Sequence, residues 1–160
     1  GVCFGWAVSD VLATVGTSGA LKHVRGNVLV LETTNAVNTD AYIYLDDSTT
    51  NYDNIQLQSG ANYIYSFYAK AEVIGKQMRC AIKLSDGSFV DTTPTPITFT
   101  DQFVRYALNF TMPAGQTGAV LAFFPNVDAA LGTKFHIQGL MLERVISTGV
   151  GNYNPSEFKS

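Results

Sequence analysis

The sequence predicts an all-β domain, a sandwich or barrel of antiparallel strands, and three observations predict it. Apolar residues recur with a period of two, and no long segment keeps them at i, i+3, i+4 and i+7. Between the alternating runs lie turns of recognisable chemistry: DDSTTNYD at Asp46–Asp53, QSGA at Gln58–Ala61, SDGS at Ser85–Ser88, PAGQTG at Pro113–Gly118, and Asn126–Gly132. The composition is 46% hydrophobic but only 14% charged, against about 25% charged in average soluble proteins. The polar surface must therefore come from Thr, Asn, Ser, Gln and Gly, a mix that suits strands. At 160 residues the chain is expected to be one domain with its own core and at most one or two short helices. Val8–Val15 carries the weak helical spacing. The start, GVCFGW, lies inside a strand pattern, which suggests a C-terminal piece of a longer protein.

In chain order the strand candidates are Val2–Ala7, Asn27–Glu32, Ala41–Leu45, Asn54–Gln58, Asn62–Ala71, Lys76–Leu84, Ile97–Thr100, Gln102–Met112, Thr117–Pro125 and Lys134–Arg144. Parity assigns their faces. Tyr63, Tyr65, Phe67, Ala69 and Ala71 form one apolar face, leaving Ile64, Ser66, Tyr68 and Lys70 on the other. Met78, Cys80, Ile82 and Leu84 turn inward and Gln77, Arg79, Ala81 and Lys83 outward. Val104, Tyr106, Leu108, Phe110 and Met112 pack, while Arg105, Asn109 and Thr111 face away. Thr117–Pro125 is apolar on both faces, so it is either covered on both sides or carries a functional apolar surface. Lys134–Arg144 has Phe135, Ile137 and Met141 on one face and His136 and Gln138 on the other, and should lie at the centre of a sheet.

Several function classes are excluded or disfavoured. The formal net charge is −3 with no basic stripe, which argues against nucleic-acid binding, since phosphate neutralisation needs one. No apolar run approaches the roughly 18 residues of a membrane span. Cys3 and Cys80 are the only cysteines and form no zinc spacing. Cys80 reads as a core residue, with a Cys3–Cys80 disulfide as the alternative. A glycosidase needs two carboxyl groups held across a cleft. Asp10, Glu32, Glu72, Asp91, Asp101 and Glu143 are isolated in sequence, there is no G-x-S-x-G elbow, and His23 and His136 lack a nucleophile partner. The expectation is a protein that binds and does not catalyse.

The runs NYIYSFYAKAE, TDQFVRYALNFTM and KFHIQGLMLERVISTGVGNYNPSEF resemble the carbohydrate-binding-module type of jelly roll found in bacteriophage tail proteins and polysaccharide-degrading enzymes. The positions that carry the likeness are Tyr63, Ser66, Lys70, Phe103, Arg105, Tyr106, Leu142, Glu143, Tyr153, Pro155 and Ser156. They span about Asn62 to Phe158, with Trp6 the one landmark in the first third. The close "Leu-Glu … Gly … Tyr-x-Pro-Ser" is similar to that of tail-fibre and baseplate modules. The resemblance implies a jelly-roll β-sandwich of two antiparallel sheets. Asn27–Glu32, Asn62–Ala71, Gln102–Met112 and Lys134–Arg144 would share one sheet; Ala41–Leu45, Lys76–Leu84, Ser88–Asp91 and Thr117–Pro125 would share the other. It further implies a receptor-binding role on the virion, outside the cell, with a host surface or cell-wall glycan and the rest of the tail protein as partners.

Sugar recognition needs aromatic faces to stack on pyranose C–H groups, with planar polar groups beside them to read hydroxyls. On the second sheet the outward positions bring Tyr42 and Tyr44 near Gln77, Arg79 and Lys83, with an exposed member of the Phe123/Phe124 pair, taken as Phe124, completing the floor. On the first sheet Tyr68, Lys70, Arg105, His136 and Gln138 line the outward face in the same way, as a secondary set or as a surface packed under Val8–Val15 or a neighbouring subunit. Tyr52 and Tyr153 are loop aromatics able to stack. No cofactor is expected. Modules of this type often carry a structural calcium, for which Asp46, Asp47 and Asp53 are weak candidates. Two alternatives stand beside glycan binding: a capping or homotrimerising module of a viral fibre, and a binding module of a polysaccharide-degrading enzyme.

Overall fold

The computed structural model describes residues 6–8, 11–16, 28–33, 43–45, 57–84, 86–116, 118–128 and 131–146. Their strands are β1 (Trp6–Val8), β2 (Val11–Gly16), β3 (Val28–Thr33), β4 (Ile43–Leu45), β5 (Asn62–Ala71), β6 (Gln77–Leu84), β7 (Phe89–Asp91), β8 (Ile97–Thr98), β9 (Val104–Thr111), β10 (Ala119–Phe124) and β11 (Lys134–Arg144). One 3-10 turn, Pro125–Asp128, follows β10. Two antiparallel sheets result, ordered β2-β3-β11-β5-β9 and β1-β4-β10-β6-β7, with β8 also paired to β6. This is the strand partition that the sequence predicts, and β11 is the middle strand of its sheet.

The inner faces follow the alternation. Phe67, Ala69 and Ala71 of β5, Met78, Cys80 and Ile82 of β6, Leu108 of β9, and Phe135 of β11 are all fully buried. Phe67 meets Phe123 of the opposite sheet edge-on, centroids 5.4 Å apart, and Phe99 meets Phe135 in the same way at 5.3 Å. Burying one such side chain contributes about 1.5–3 kcal/mol, so these cross-sheet contacts hold the layers together. Both faces of β10 are covered, since Leu121, Ala122, Phe123 and Phe124 are each at most 2% exposed. Cys80 is a free, buried thiol, as the core reading has it, and Cys3 lies outside the described residues.

Four expectations are corrected. Val11–Gly16 is a strand, not a helix: six consecutive residues pair with β3 from Val11 opposite Thr33 to Gly16 opposite Val28. Tertiary pairing there overrides a local spacing that fits both periods. Because β2 is an edge strand of the five-stranded sheet, it extends that sheet and does not roof its outer face. Met141 leaves the core face. The register of β11 against β5 shifts between Gln138 and Met141, with Gly139 at φ +67°, so Met141 lies opposite Ser66. One extra residue on the bulged strand reverses parity, and Leu140 and Leu142 pack against the core instead. Val104 is 41% exposed. Of Asn54–Gln58, Leu57 and Gln58 lie outside any strand, and the remainder falls outside the described residues.

Candidate functional site

The outer face of the six-stranded sheet holds part of the predicted site. Cross-strand register sets Arg79 opposite Phe124, and Ala122 lies between Ala81 and the backbone of Tyr44. Arg79 Nε donates to Asp91 Oδ1 at 2.8 Å, a diagonal pair across β6 and β7, and the guanidinium lies 4.5 Å from the Phe124 ring centroid. Phe124 is 2% exposed and also meets Phe89 edge-on at 5.4 Å. The expected exposed aromatic floor is therefore a buried ring already covered by a cation and a second aromatic. Ala81 and Ala122 beside it are fully buried, so the middle of this face is closed. Gln77 Nε2 donates to Thr98 Oγ1 at 3.0 Å, and Lys83 is half-buried opposite Val120 and Phe89. Tyr42, the Tyr44 side chain, Tyr52, Tyr153 and the cation candidates Asp46, Asp47 and Asp53 lie outside what is described. Among the described residues no group of three His, Cys, Asp or Glu side chains could hold a metal.

The outer face of the five-stranded sheet is built differently. Gln138, Tyr68 and Arg105 occupy directly opposed positions on β11, β5 and β9, forming one row across three strands. The next row places Val30, His136 and Lys70 side by side on β3, β11 and β5. On the other flank lie Met141, Ser66 and Ala107. Opposed strand residues point to one side, so an aromatic ring and four groups rich in donors share a patch. Gln138 and Ser66 are buried at 2% and 1% exposure, whereas Tyr68, Arg105, His136 and Lys70 are half-buried. The patch has a polar floor and a mixed rim.

Second contacts orient the rim. Arg105 Nη2 donates to Ser66 Oγ at 3.1 Å. Lys70 Nζ lies 5.2 Å from the Phe103 ring centroid, within cation–π range. His136 Nε2 is 3.2 Å from Glu72 Oε1, while its Nδ1 is buried with no hydrogen-bond partner. With Nε2–H donating to Glu72, Nδ1 presents a lone pair that can accept one hydrogen bond. A buried acceptor without a donor is costly, and a hydroxyl-bearing ligand would remove that cost.

The predicted secondary residues thus come together, and the primary set does so only in part. Sequence reasoning missed Glu72, Ser66 as an orienting group, and Asp91 as the partner of Arg79. Parity already set Ser66 with Tyr68. Glu72 and Asp91 carried no signal, because the diagonal that joins Asp91 to Arg79 is fixed only by strand pairing.

No protein-family model matches the chain, and no curated protein matches it. Solved structures do share its fold. The xylan-binding domain CBM22-1 of Paenibacillus barcinonensis Xyn10C superposes with a TM-score of 0.60 at 16% identity, covering 90% of this chain and 88% of that one. A structure described as CBM4 gives 0.58 at 15% identity over 88% and 95%. The enzymatically active domain of bacteriophage CBA120 tailspike protein 4 gives 0.60 at 17% identity over 89% of this chain, which spans only 20% of the tailspike chain. The fold is that of carbohydrate-binding modules, an all-β sandwich of two antiparallel sheets.

Proposed function

We propose that this chain is a non-catalytic glycan-binding module that attaches a phage tail or receptor-binding protein to a host surface polysaccharide. The observation that carries the binding reading is the row Gln138–Tyr68–Arg105 on the outer face of the five-stranded sheet, flanked by His136 with its unpartnered buried Nδ1. Tyr68 supplies a stacking face, Arg105 and Gln138 supply planar groups for hydroxyls, and His136 an acceptor. The fold shared with carbohydrate-binding modules and with a tailspike domain supports it. The tail setting is further supported by the resemblance of the closing sequence to tail-fibre modules. Arg79 with Gln77 and Lys83 on the other sheet forms a secondary contact region. Binding is weak per site and is raised by avidity, which adds a factor of about 10² to 10⁴ when copies are linked.

The test is a glycan array probed with a tetramerised protein, followed by calorimetry on the polysaccharide that responds. Tyr68→Ala should weaken binding roughly tenfold, about 1.4 kcal/mol, and Arg105→Ala comparably, while Arg79→Ala should change it little. Absence of binding to every host-type polysaccharide by the multimer, or full affinity in Tyr68→Ala, would overturn the proposal.

A further inference from the structure

A hollow of about 260 Å³ opens at the edge of the sandwich, toward the end of β9 away from Arg105. It forms because the chain leaves the six-stranded sheet at the end of β7, touches the other sheet, and returns to β8. At the touching point Thr93 and Asn109 exchange both backbone hydrogen bonds at 2.8 Å. Thr92 Oγ1 donates to the Cys80 carbonyl at 3.0 Å, and Thr95 Oγ1 accepts from the Cys80 N–H at 3.2 Å. The crossing segment is therefore pinned on both sides of the bridge, and the wall it makes is preformed.

The lining is polar and largely uncommitted. Thr111 Oγ1 donates to Asn62 Oδ1 at 2.6 Å, which leaves the Asn62 amide NH₂ to donate. Asp91 gives Oδ1 to Arg79 and keeps Oδ2 as an acceptor. The Asn109 amide and the Thr93 hydroxyl make no hydrogen bond to the described residues. Tyr63 and Phe110 also line it, but their rings turn to the other face of the sheet, into the core, where they stack with centroids 5.6 Å apart. Donors and acceptors set side by side match vicinal hydroxyls on a ring. The volume falls just under the roughly 300 Å³ at which pockets for drug-sized ligands begin, so it has room for one sugar ring and not for a chain. Among the described residues no cation lines it to attract an anion. Its one carboxylate, already paired with Arg79, is too little charge for a calcium ion.

We propose that this hollow is a second carbohydrate site that holds a single neutral sugar residue, free or as the terminal unit of a glycan. Asn109 lies four residues from Arg105 along β9, roughly 13 Å at 3.3 Å per residue, so the two sites are separate. The inference stands on the hollow's own lining and does not depend on the sheet-face reading.

Saturation-transfer NMR on the whole chain tests it, with glucose, galactose, mannose, rhamnose and N-acetylglucosamine, their methyl glycosides, and glucuronate as the anionic control. At least one neutral sugar should show transfer in the wild type and equally in Tyr68→Ala, with none from glucuronate. Transfer to the matching methyl glycoside identifies a chain-terminal unit as the ligand; transfer to the free sugar alone identifies a free one. In Asn109→Ala and Thr93→Val the affinity should fall roughly five- to tenfold, the loss of one or two neutral hydrogen bonds. Only the backbone of Asn109 makes the bridge to Thr93, so Asn109→Ala keeps the fold, which its melting temperature checks. No transfer from any neutral sugar, transfer undiminished in both folded variants, or transfer abolished by Tyr68→Ala would overturn the proposal. Absence of polysaccharide binding by the wild-type multimer, with monosaccharide transfer present, would instead sink the sheet-face site alone.

Discussion

Gly139 decides which side chains of β11 reach the core and which reach the candidate site. It sits at φ +67° inside the bulge between Gln138 and Met141. An L-residue in that left-handed conformation costs about 1–2 kcal/mol through the clash of Cβ with the following carbonyl. Gly139→Ala should therefore lower stability by that amount. For a domain of this size each kcal/mol corresponds to about 2–4 °C, so the melting temperature should fall by about 2–8 °C. Deleting Gly139 should leave the faces of β11 intact, because Leu140 alone then stands opposite Phe67 and Met141 stays opposite Ser66. Keeping residue 139 but ironing out the bulge would instead turn Leu140 and Leu142 to the outer face and Met141 and Glu143 inward, which is why the left-handed conformation at Gly139 matters. Thermal and denaturant unfolding measure the effect of Gly139→Ala, and soluble yield with near-ultraviolet dichroism the fold of the deletion variant. An unchanged melting temperature in Gly139→Ala, or a deletion variant that does not fold, would refute the role given to the bulge.

Three further outcomes follow from the core and one turn. Phe67→Ala removes the ring that meets Phe123 and Tyr106 and should cost about 3–5 kcal/mol in denaturant unfolding, a large share of the roughly 5–15 kcal/mol typical of whole domains; a loss below about 1 kcal/mol would contradict the packing described. Burial pushes the Cys80 thiol up, so the native protein should resist thiol reagents at Cys80 and become reactive there only on unfolding, as mass mapping of the labelled site would show; fast native labelling at Cys80 would be inconsistent with a fully buried side chain. The hydroxyl of Ser88, at 2.6 Å, and then its N–H, at 2.9 Å, hold the Asp86 carboxyl below its ordinary 3.8. Since the folded value is the lower one, this contact favours folding above the unfolded pKa and is lost as pH falls through the folded value. In Ser88→Ala the carboxyl should titrate closer to 3.8 by NMR, and a shift downward would be the wrong sign.

Much of the fold was legible because strand alternation is a local signal with one dominant reading once a face is buried. Tyr63, Tyr65 and Phe67 announce the inner face of β5, and Met78, Cys80 and Ile82 that of β6. The partition into two sheets, with β11 central, follows from those faces and the turn chemistry between them. Less could be read where two periods fit the same residues, as in Val11–Gly16, or where one residue changes parity, as at Gly139. The candidate site divides along the same line. Tyr68, Arg105, His136 and Gln138 were assigned to one face by counting, but only pairing of β11, β5 and β9 sets three of them in a single row. Phe124 looked exposed from its neighbours in sequence and is buried because Arg79 and Phe89 arrive from other strands. The hollow beside Asn109 has no sequence signature, since its walls come from four separate segments, around Asn62, Thr93, Asn109 and Val145, in a chain whose register is fixed by long-range hydrogen bonds. Residue pattern alone thus determined the strands, their inward faces and the class of chemistry available. Which polar groups converge, and which remain open to a ligand, was decided by register and by the crossing at Thr93, because these depend on partners distant along the chain.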